Sequence, residues 1–375
     1  MLKGSIRLTL LMGPMVPVPV SKDIIDALTS IEVKRATGEP SGFQLTFTFS
    51  SKSSLNTLLL LLGQIGPLIR TIIIVTVNGT PYVLMDGVIV HHQVTPNVQT
   101  GQSTLTVTGS DLTAVMAAID FTGIPYPAMP AEARVALIIA KYAIFGMIPL
   151  VIPSLFMDVP IPVSRIPTHQ GTDLDYVNEL ARNVGYVFYI EPGPVPGTNI
   201  AYWGPEIKVG IPQPALNVNM DAHTNIESLN FSFNGASKTM PIVFIQNEET
   251  RAPVPIPIPD ISPLNPPLGL IPPIPAQFKM MTNTANLNPV QAIALGLAEA
   301  SRTSDAVTGT GSLDVLRYGR ILKARSLVGV RGAGQAFDGL YFVKSVTHKM
   351  KPGEYKQDFT LTRNGLISTV PSVPA

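Results

Sequence analysis

Alternation with a period of two dominates the chain. Residues 43–49 (FQLTFTF), 103–109 (STLTVTG) and 358–363 (DFTLTR) carry β-forming residues with apolar side chains at every second position. That spacing predicts strands with one face on a core. Residues 71–77 (TIIIVTV) are an unbroken β-branched run, as expected of a strand covered on both faces. Helical spacing is rarer. Ser110 or Asp111 is placed to cap a short helix through Ala118, and Pro130 to open one over residues 130–145. Thr172 precedes DLDYVNELARNV, where Leu174, Val177, Leu180, Ala181 and Val184 share one face and Gly185 stands at the end. Asn288, Pro289 and Gln291 form a capping-box start for a helix over 289–302.

Between these elements lies a proline-rich arm over residues 252–277, holding ten of the 36 prolines. Proline cannot donate to a sheet ladder, so the arm is expected to be an extended, polyproline-like excursion. Its valines, isoleucines and leucines suit an arm laid on a neighbouring surface, with a solvated spacer or lid as the alternative.

One phrase occurs twice. Asp86-Gly87 and Asp338-Gly339 are 252 positions apart, as are Val94-Thr95 and Val346-Thr347, and Gly101 and Gly353. After a two-residue insertion LTVTGSDL (105–112) matches FTLTRNGL (359–366), and upstream LTSIEV (28–33) resembles HTNIES (223–228). The same order of elements therefore runs from about 28 to 112 and from about 223 to 366. The second copy is longer mainly through the arm and the 289–302 helix. Each Asp-Gly is expected to make a turn before a strand, and each later glycine a second turn. The fold class that follows is mainly β (α+β): two duplicated, hairpin-rich antiparallel sheets that curl into barrels or sandwiches, with a small α/β segment between them. The expected domains are 1–112, 113–215 and 216–375. Two similar domains per chain let three chains build a ring of six quasi-equivalent units through heterologous contacts that close.

Composition sharpens this. Charged residues make up 14% of the 375 residues and apolar ones 45%, which suits either a surface buried against partners or a large plain β-core. The net charge of +1 gives no general attraction to nucleic acid or anionic membranes. With no cysteine, disulfides and thiolate metal sites are excluded. The opening MLKGSIRLTLLMGPMVPVPV is broken by prolines and is not expected to be a secretion signal. Gln64, Pro67 and Arg70 interrupt the apolar stretch from Thr57 to Val77, so a short buried helix and a strand are expected there, not stable membrane insertion.

The segments GTDLDYVNELARNVGYVFYIEPG (171–193) and GTGSLDVLRYGRILKARSLVGVRGAGQAFDGLYFVKSVTHKMKPGEYKQDFTLTRNG (309–365), with the opening GPMVPVPVSKDIIDALTSIEVKRATGEPSGFQLTF (13–47), resemble the phage late control D family. These are central baseplate hubs of contractile tails, related to the N-terminal part of VgrG spikes in contractile injection systems. The resemblance covers most of the chain in order, and the proline arm departs from it. It implies a homotrimeric hub with two tube-like barrels per subunit and pseudo-sixfold symmetry. Such a hub joins a hexameric tail tube to a trimeric spike among other baseplate proteins, in the baseplate of a virion tail or injection particle assembled in the bacterial cytoplasm. The chain runs only ten residues past Gly365, so a separate spike chain is expected.

Catalytic, cofactor and metal residues are not expected. His91 and His92 are neighbours on a strand and point to opposite faces, and His169, His223 and His348 lie in no ligand spacing. GVRGAGQAFDG (329–339) lacks a phosphate-loop pattern and reads as a loop between strands, as does GTGS (309–312). No serine has a nucleophile-elbow context, and Asp175 with Glu179 reads as a solvated helix face. Arg317, Arg320, Lys323, Arg325 and Arg331 mix with Tyr318, Ile321 and Leu322, which reads as an amphipathic strand facing a partner, not as specific nucleic-acid binding. Beside the hub reading stand a baseplate-borne cell-wall hydrolase and a peripheral host-binding module.

Overall fold

The computed structural model describes residues 6–49, 53, 69–96, 103–154, 160, 162–163, 166–246, 253–259, 266–282 and 289–370. Gly101, Asn288, the apolar residues 57–68 and parts of the proline arm lie outside them.

The first strand set comprises β1 (Ile6–Pro14), β2 (Val18–Pro19), β3 (Leu28–Ala36), β4 (Gly42–Phe49), β5 (Ile69–Val77), β6 (Thr80–Pro96) and β7 (Ser103–Asp111), with helix α1 (Lys22–Asp26). A middle segment follows: α2 (Thr113–Met116), α3 (Ala131–Ala140), β8 (Met147–Val151), α4 (Asp173–Val184), β9 (Val187–Pro192) and β10 (Asn199–Gly204). The second set holds β11 (Gln213–Asn217), β12 (Ser228–Phe233), β13 (Thr239–Gln246), β14 (Pro253–Pro257), β15 (Gly269–Ile271), β16 (Gln277–Met280) and α5 (Pro289–Arg302). It ends with β17 (Val307–Asp314), α6 (Val315–Tyr318), β18 (Leu327–Arg331), β19 (Gly339–Lys351), β20 (Glu354–Arg363) and β21 (Leu366–Ser368). The fold is mainly β.

Both sets share one sheet of 13 strands, whose main path is β12-β17-β20-β19-β3-β4-β7-β6-β5-β1-β2, with β18 on β19 and β11 on β18. The order β3-β4-β7-β6-β5-β1 thus matches β12-β17-β20-β19-β18-β11, differing only where β1 meets β5 antiparallel and β11 meets β18 parallel. The doubled phrase has the same register in each set. Val94 stands opposite Leu105 and Val346 opposite Phe359. Both hairpins carry a bulge on the first strand, between Ile89 and His91 and between Val343 and Ser345, which strengthens the local twist.

A continuous core under the sheet draws on both sets, including Leu45, Phe47, Val107, Val343, Val346 and Leu361. The strand alternation put these residues on one face. Glycines in the sheet admit aromatic rings lying across them. Phe43 is paired with Gly109, Phe231 with Gly309 and Phe359 with Gly311, and in each case a Cβ on the glycine would fall 2.2–2.7 Å from the ring. GTGS is therefore the middle of a strand and not a loop, because the rings of flanking strands fill the space that side chains would take.

The middle segment follows its sequence closely. Thr172 and Asp175 form a capping box on α4, and Gly185 ends it at φ 73°. Helices α3 and α4 pack on the sheet β8-β10-β9 around Trp203, Val177 and Ile138. Residues 130–145 divide into α3 and a 3-10 turn over Ala143–Phe145.

Three expectations need correction. Asp86-Gly87 makes no turn: it lies inside β6, where Asp86 is buried. Only Asp338-Gly339 borders a turn, with Asp338 Oδ1 accepting from the Ala333 amide at 2.7 Å, while Gly353 supplies φ 84° to the two-residue β19–β20 turn. The upstream match is out of register. Ser30 pairs through Thr46 to Thr106 as Asn230 pairs through Thr310 to Thr360, so 28–33 corresponds to residues five positions beyond 223–228. The proline arm is built into the chain's own sheets where it is described. Pro253, Pro255 and Pro257 alternate along β14, an edge strand, so their missing N–H groups all fall on one side. Its later part, β15, pairs with β21.

The ring-on-glycine pairs give a direct test. Gly109→Ala sets a methyl against Phe43 and should cost about 1–3 kcal/mol in urea unfolding. Adding Phe43→Leu should recover part of that loss.

Candidate assembly interface

Strand β19 does two jobs. Its first half pairs with β18, and its second half, Ser345 to Met350, pairs antiparallel with Ala36 to Ile31 of β3. This junction fuses the two strand sets. Its core side is closed, with Val33 and Val346 at 0% exposure. His348 is buried there, its Nδ1 2.8 Å from the Tyr355 hydroxyl. Burial, with Arg35 nearby, pushes its pKa down from 6.5 to about 3, so the imidazole is neutral in the fold.

Above the junction sits Glu191 of β9. It forms ion pairs with Arg35 of β3 and, at 2.9 Å, with Arg325. Burial pushes the Glu191 carboxyl up, but the two guanidinium groups outweigh it and hold its pKa below the ordinary value. Arg325 also donates to the Ala36 carbonyl at 2.6 Å and lies 4.0 Å from the Tyr189 ring centroid. One ion cluster thus ties together both strand sets and the middle segment. A second fixes the middle segment to the first set. Arg70 grips Asp86 with two 2.7 Å hydrogen bonds and donates to the Phe145 carbonyl, while Asn199 donates to Asp86 at 2.9 Å.

The basic cluster expected on an amphipathic strand is dispersed. Asp314 accepts from the Leu316 and Arg317 amides and starts the helical turn α6, which Gly319 ends at φ 82°. The Arg325 side chain is enclosed in the ion cluster, and Lys323 lies against Tyr82. Asp175 belongs to the α4 cap, and His91, His92 and His223 are exposed. His169, missed as a buried group, sits fully enclosed with Tyr126, Tyr176 and Asp173. Asp173 and Tyr176 lie only four and seven residues downstream, a local signal that was available, while Tyr126 comes from 43 positions upstream. Among the described residues no three potential metal ligands cluster, and no helix is long and apolar enough to cross a membrane.

The face of the sheet opposite the core is polar and carries charges of both signs, among them Glu32, Lys349, Lys356 and Asp358. Ser30, Thr46, Thr106 and Gln93 form one cross-strand row, and Asn230, Thr310, Thr360 and Ser345 form the matching row in the second set. A trough of about 530 Å³ follows this face between Ser228, Thr310, Thr347 and Thr360.

Among the described residues, the second half of β6, from His91 to Pro96, pairs with β7 only and β12 with β17 only, while β2 and β11 are the sheet's other ends. The open edges of β6 and β12 are the positions that β19 and β3 occupy at the closed junction.

Solved structures are similar to this chain in fold. A tail protein from Neisseria meningitidis MC58 superposes with a TM-score of 0.64 at 12% identity, over 97% of this chain and 98% of that one. The 43 kDa tail protein of prophage MuSo2 from Shewanella oneidensis gives 0.60 at 12% identity, over 95% and 98%. A Francisella PdpA-VgrG complex gives 0.62 at 8% identity, over 100% of this chain and 55% of that one. The fold is that of phage tail proteins. The tail-protein fold bears out the resemblance seen in the sequence, although no sequence family and no curated protein matches the chain.

Two measurements check the joints. Glu191→Gln should cost about 1–3 kcal/mol through lost charged hydrogen bonds. It should also remove the acid sensitivity that Glu191 contributes, since a depressed carboxyl stabilises above its unfolded pKa of 4.5 and loses that contribution as pH falls through the folded value. For His348, only the unfolded chain takes up the proton between pH 6.5 and about 3. Stability should therefore fall with decreasing pH across that window, by at most about 1.4 kcal/mol per unit, and His348→Gln should flatten the slope in thermal unfolding.

Proposed function

We propose that this chain is the central hub of a contractile-tail or injection-particle baseplate, a structural adaptor without catalytic turnover. Three copies close into a ring of six alternating β units, built from domains 1–112 and 216–375 with 113–215 between them. The ring joins a sixfold tube on one side to a threefold spike on the other, in the tail baseplate. The tail-protein fold supports this reading.

The observation that carries it is a junction made once and left half-made twice. Inside the chain, β19 meets β3 and both Val346 and Val33 are fully buried. At the open ends the equivalent residues are Val94 on β6, 39% exposed, and Phe233 on β12, 43% exposed. Repeating the internal junction between copies pairs β6 of one chain with β12 of the next. Such a contact is heterologous, and it buries both residues and leaves neither of these two edges open once the ring closes. The neutral Ser, Thr, Asn and Gln rows then line the inside. The strand ends divide the ring into two unlike rims. One rim carries the β6–β7 and β19–β20 hairpins, once per unit and so six times. The other carries the middle segment and the β13–β16 insertion, each three times. A sixfold tube suits the first rim and a threefold spike the second.

Copying the internal register sets Pro96 opposite Phe233 of the neighbouring copy, as His348 stands opposite Val33. The chain has no cysteine, so Pro96→Cys with Phe233→Cys introduces the only thiols. Oxidation should give a covalent ladder that stops at three chains, and light scattering should give a trimer mass for the unmodified protein. A monomer at all concentrations would sink the hub reading.

A further inference from the structure

The insertion between β12 and β17 carries a small sheet, β14-β13-β16, with α5 on one face. Val243, Ile245 and Ile256 meet α5. Residues of the alternate set therefore occupy the other face: Met240 and Ile242 on β13, with their register partners Phe278 and Met280 on β16. Phe278 and Met280 are each 66% exposed. Lys279, between them, points to the α5 side and pairs with Glu299 at 2.6 Å, which leaves this four-residue patch wholly apolar.

The middle segment has a second apolar patch. On β8, Met147 and Val151 pack into its core, while Ile148 and Leu150 lie on the opposite face, 55% and 46% exposed, beside Ile144 at 63%. Tyr189 and Glu191 of β9 lie on that same sheet face and cover the internal junction, two strands away.

We infer that these two patches meet between copies, the β13–β16 face of one chain packing on Ile144, Ile148 and Leu150 of the next. The inference rests on the ring proposed above and names a second layer of its contact. Position argues for it. The β13–β16 unit grows from the end of β12, one of the two open edges, and its α5 side is turned to its own chain through α4, where a Cβ on Gly185 would fall 2.6 Å from Ala298. Its apolar face is thus turned away from its own middle segment. The start of β8 and of β10 is tied to β5 and β6, the strands beside the other open edge, by the contacts of Arg70 and Asp86 with Phe145 and Asn199. Joining β6 to β12 therefore brings together the two flanks that carry the patches. Two different patches would then meet, which is the form a heterologous contact takes.

The test uses the full chain and the trimer–monomer equilibrium measured by sedimentation. Phe278→Asp with Met280→Asp, and separately Ile148→Asp with Leu150→Asp, should each weaken trimer formation by at least about tenfold, as charges in an apolar contact do. These side chains are exposed in the monomer, so circular dichroism and unfolding of the monomer should stay unchanged. Met280→Lys combined with Leu150→Glu should associate more tightly than either single variant. Trimerisation within twofold of wild type in either double-aspartate variant overturns the inference while leaving the ring intact. So does a lysine–glutamate pair no better than its parts. A wild-type chain that never trimerises overturns the ring and this contact together.

Discussion

Arg325 is the residue on which the geometry of the chain converges. It adopts a left-handed backbone conformation, φ 59°, and its amide donates to the Val343 carbonyl beside the β19 bulge. From there its guanidinium reaches Glu191, Tyr189 and the Ala36 carbonyl. A non-glycine residue in that region costs energy, and the strain is tolerated because four partners from three parts of the chain fix it. A guanidinium suits this place better than an ammonium would, since its planar fork serves a carboxylate, a carbonyl and an aromatic face at once. The consequence is a fixed angle between the two strand sets. Closure of the proposed ring would depend on that angle, because a heterologous contact repeated at the wrong rotation makes an open helix.

The two sets have diverged where divergence is harmless to this geometry. Strand order, the bulged hairpin and the hydroxyl row are kept, while connections differ widely. A five-residue link joins β3 to β4, and the equivalent link from β12 to β17 holds a whole three-stranded sheet and helix. Loops on a surface tolerate such growth, since each doubling of loop length adds only about 0.6 kcal/mol of closure cost. The ladder tolerates little, because a slip of one residue turns every core side chain outward.

Much of this was legible in the sequence where the signal is local. The β5 run is buried along nearly its whole length, as its unbroken β-branched pattern requires. Helix α4 starts and stops at the residues that cap it. The duplicated hairpin was visible because cross-strand partners 11 to 13 residues apart move together. The remainder depended on partners far away in sequence. Asp86 has the spelling of a turn, but Arg70 across the β5–β6 ladder and Asn199 from the middle segment hold it in a strand. Residues 317–325 read as an amphipathic strand, but the Asp314 side chain caps a helical turn that runs into them. The proline arm looked unfit for a sheet until its alternate spacing met an edge strand's one free side. The ion cluster at Glu191 joins residues 134 and 156 positions away, and no window of sequence contains it.

The scarcity of charge acquires a meaning once the charges are placed. Arg70 with Asp86, Arg35 and Arg325 with Glu191, and Lys208 with Glu206 and Asp305 all stand at joints between parts of one chain. There, low dielectric and geometric demand make them orient rather than merely attract. The sheet edges, the hydroxyl rows and the two apolar patches are left almost without charge. The proposed contacts between copies would then rest on backbone pairing and apolar burial, which salt screens little. Long-range steering is weak for such surfaces, so their selectivity comes from shape and register. An assembly built this way would choose its partner by whether the edges fit, and the proposed task of matching one symmetry to another needs that kind of selectivity.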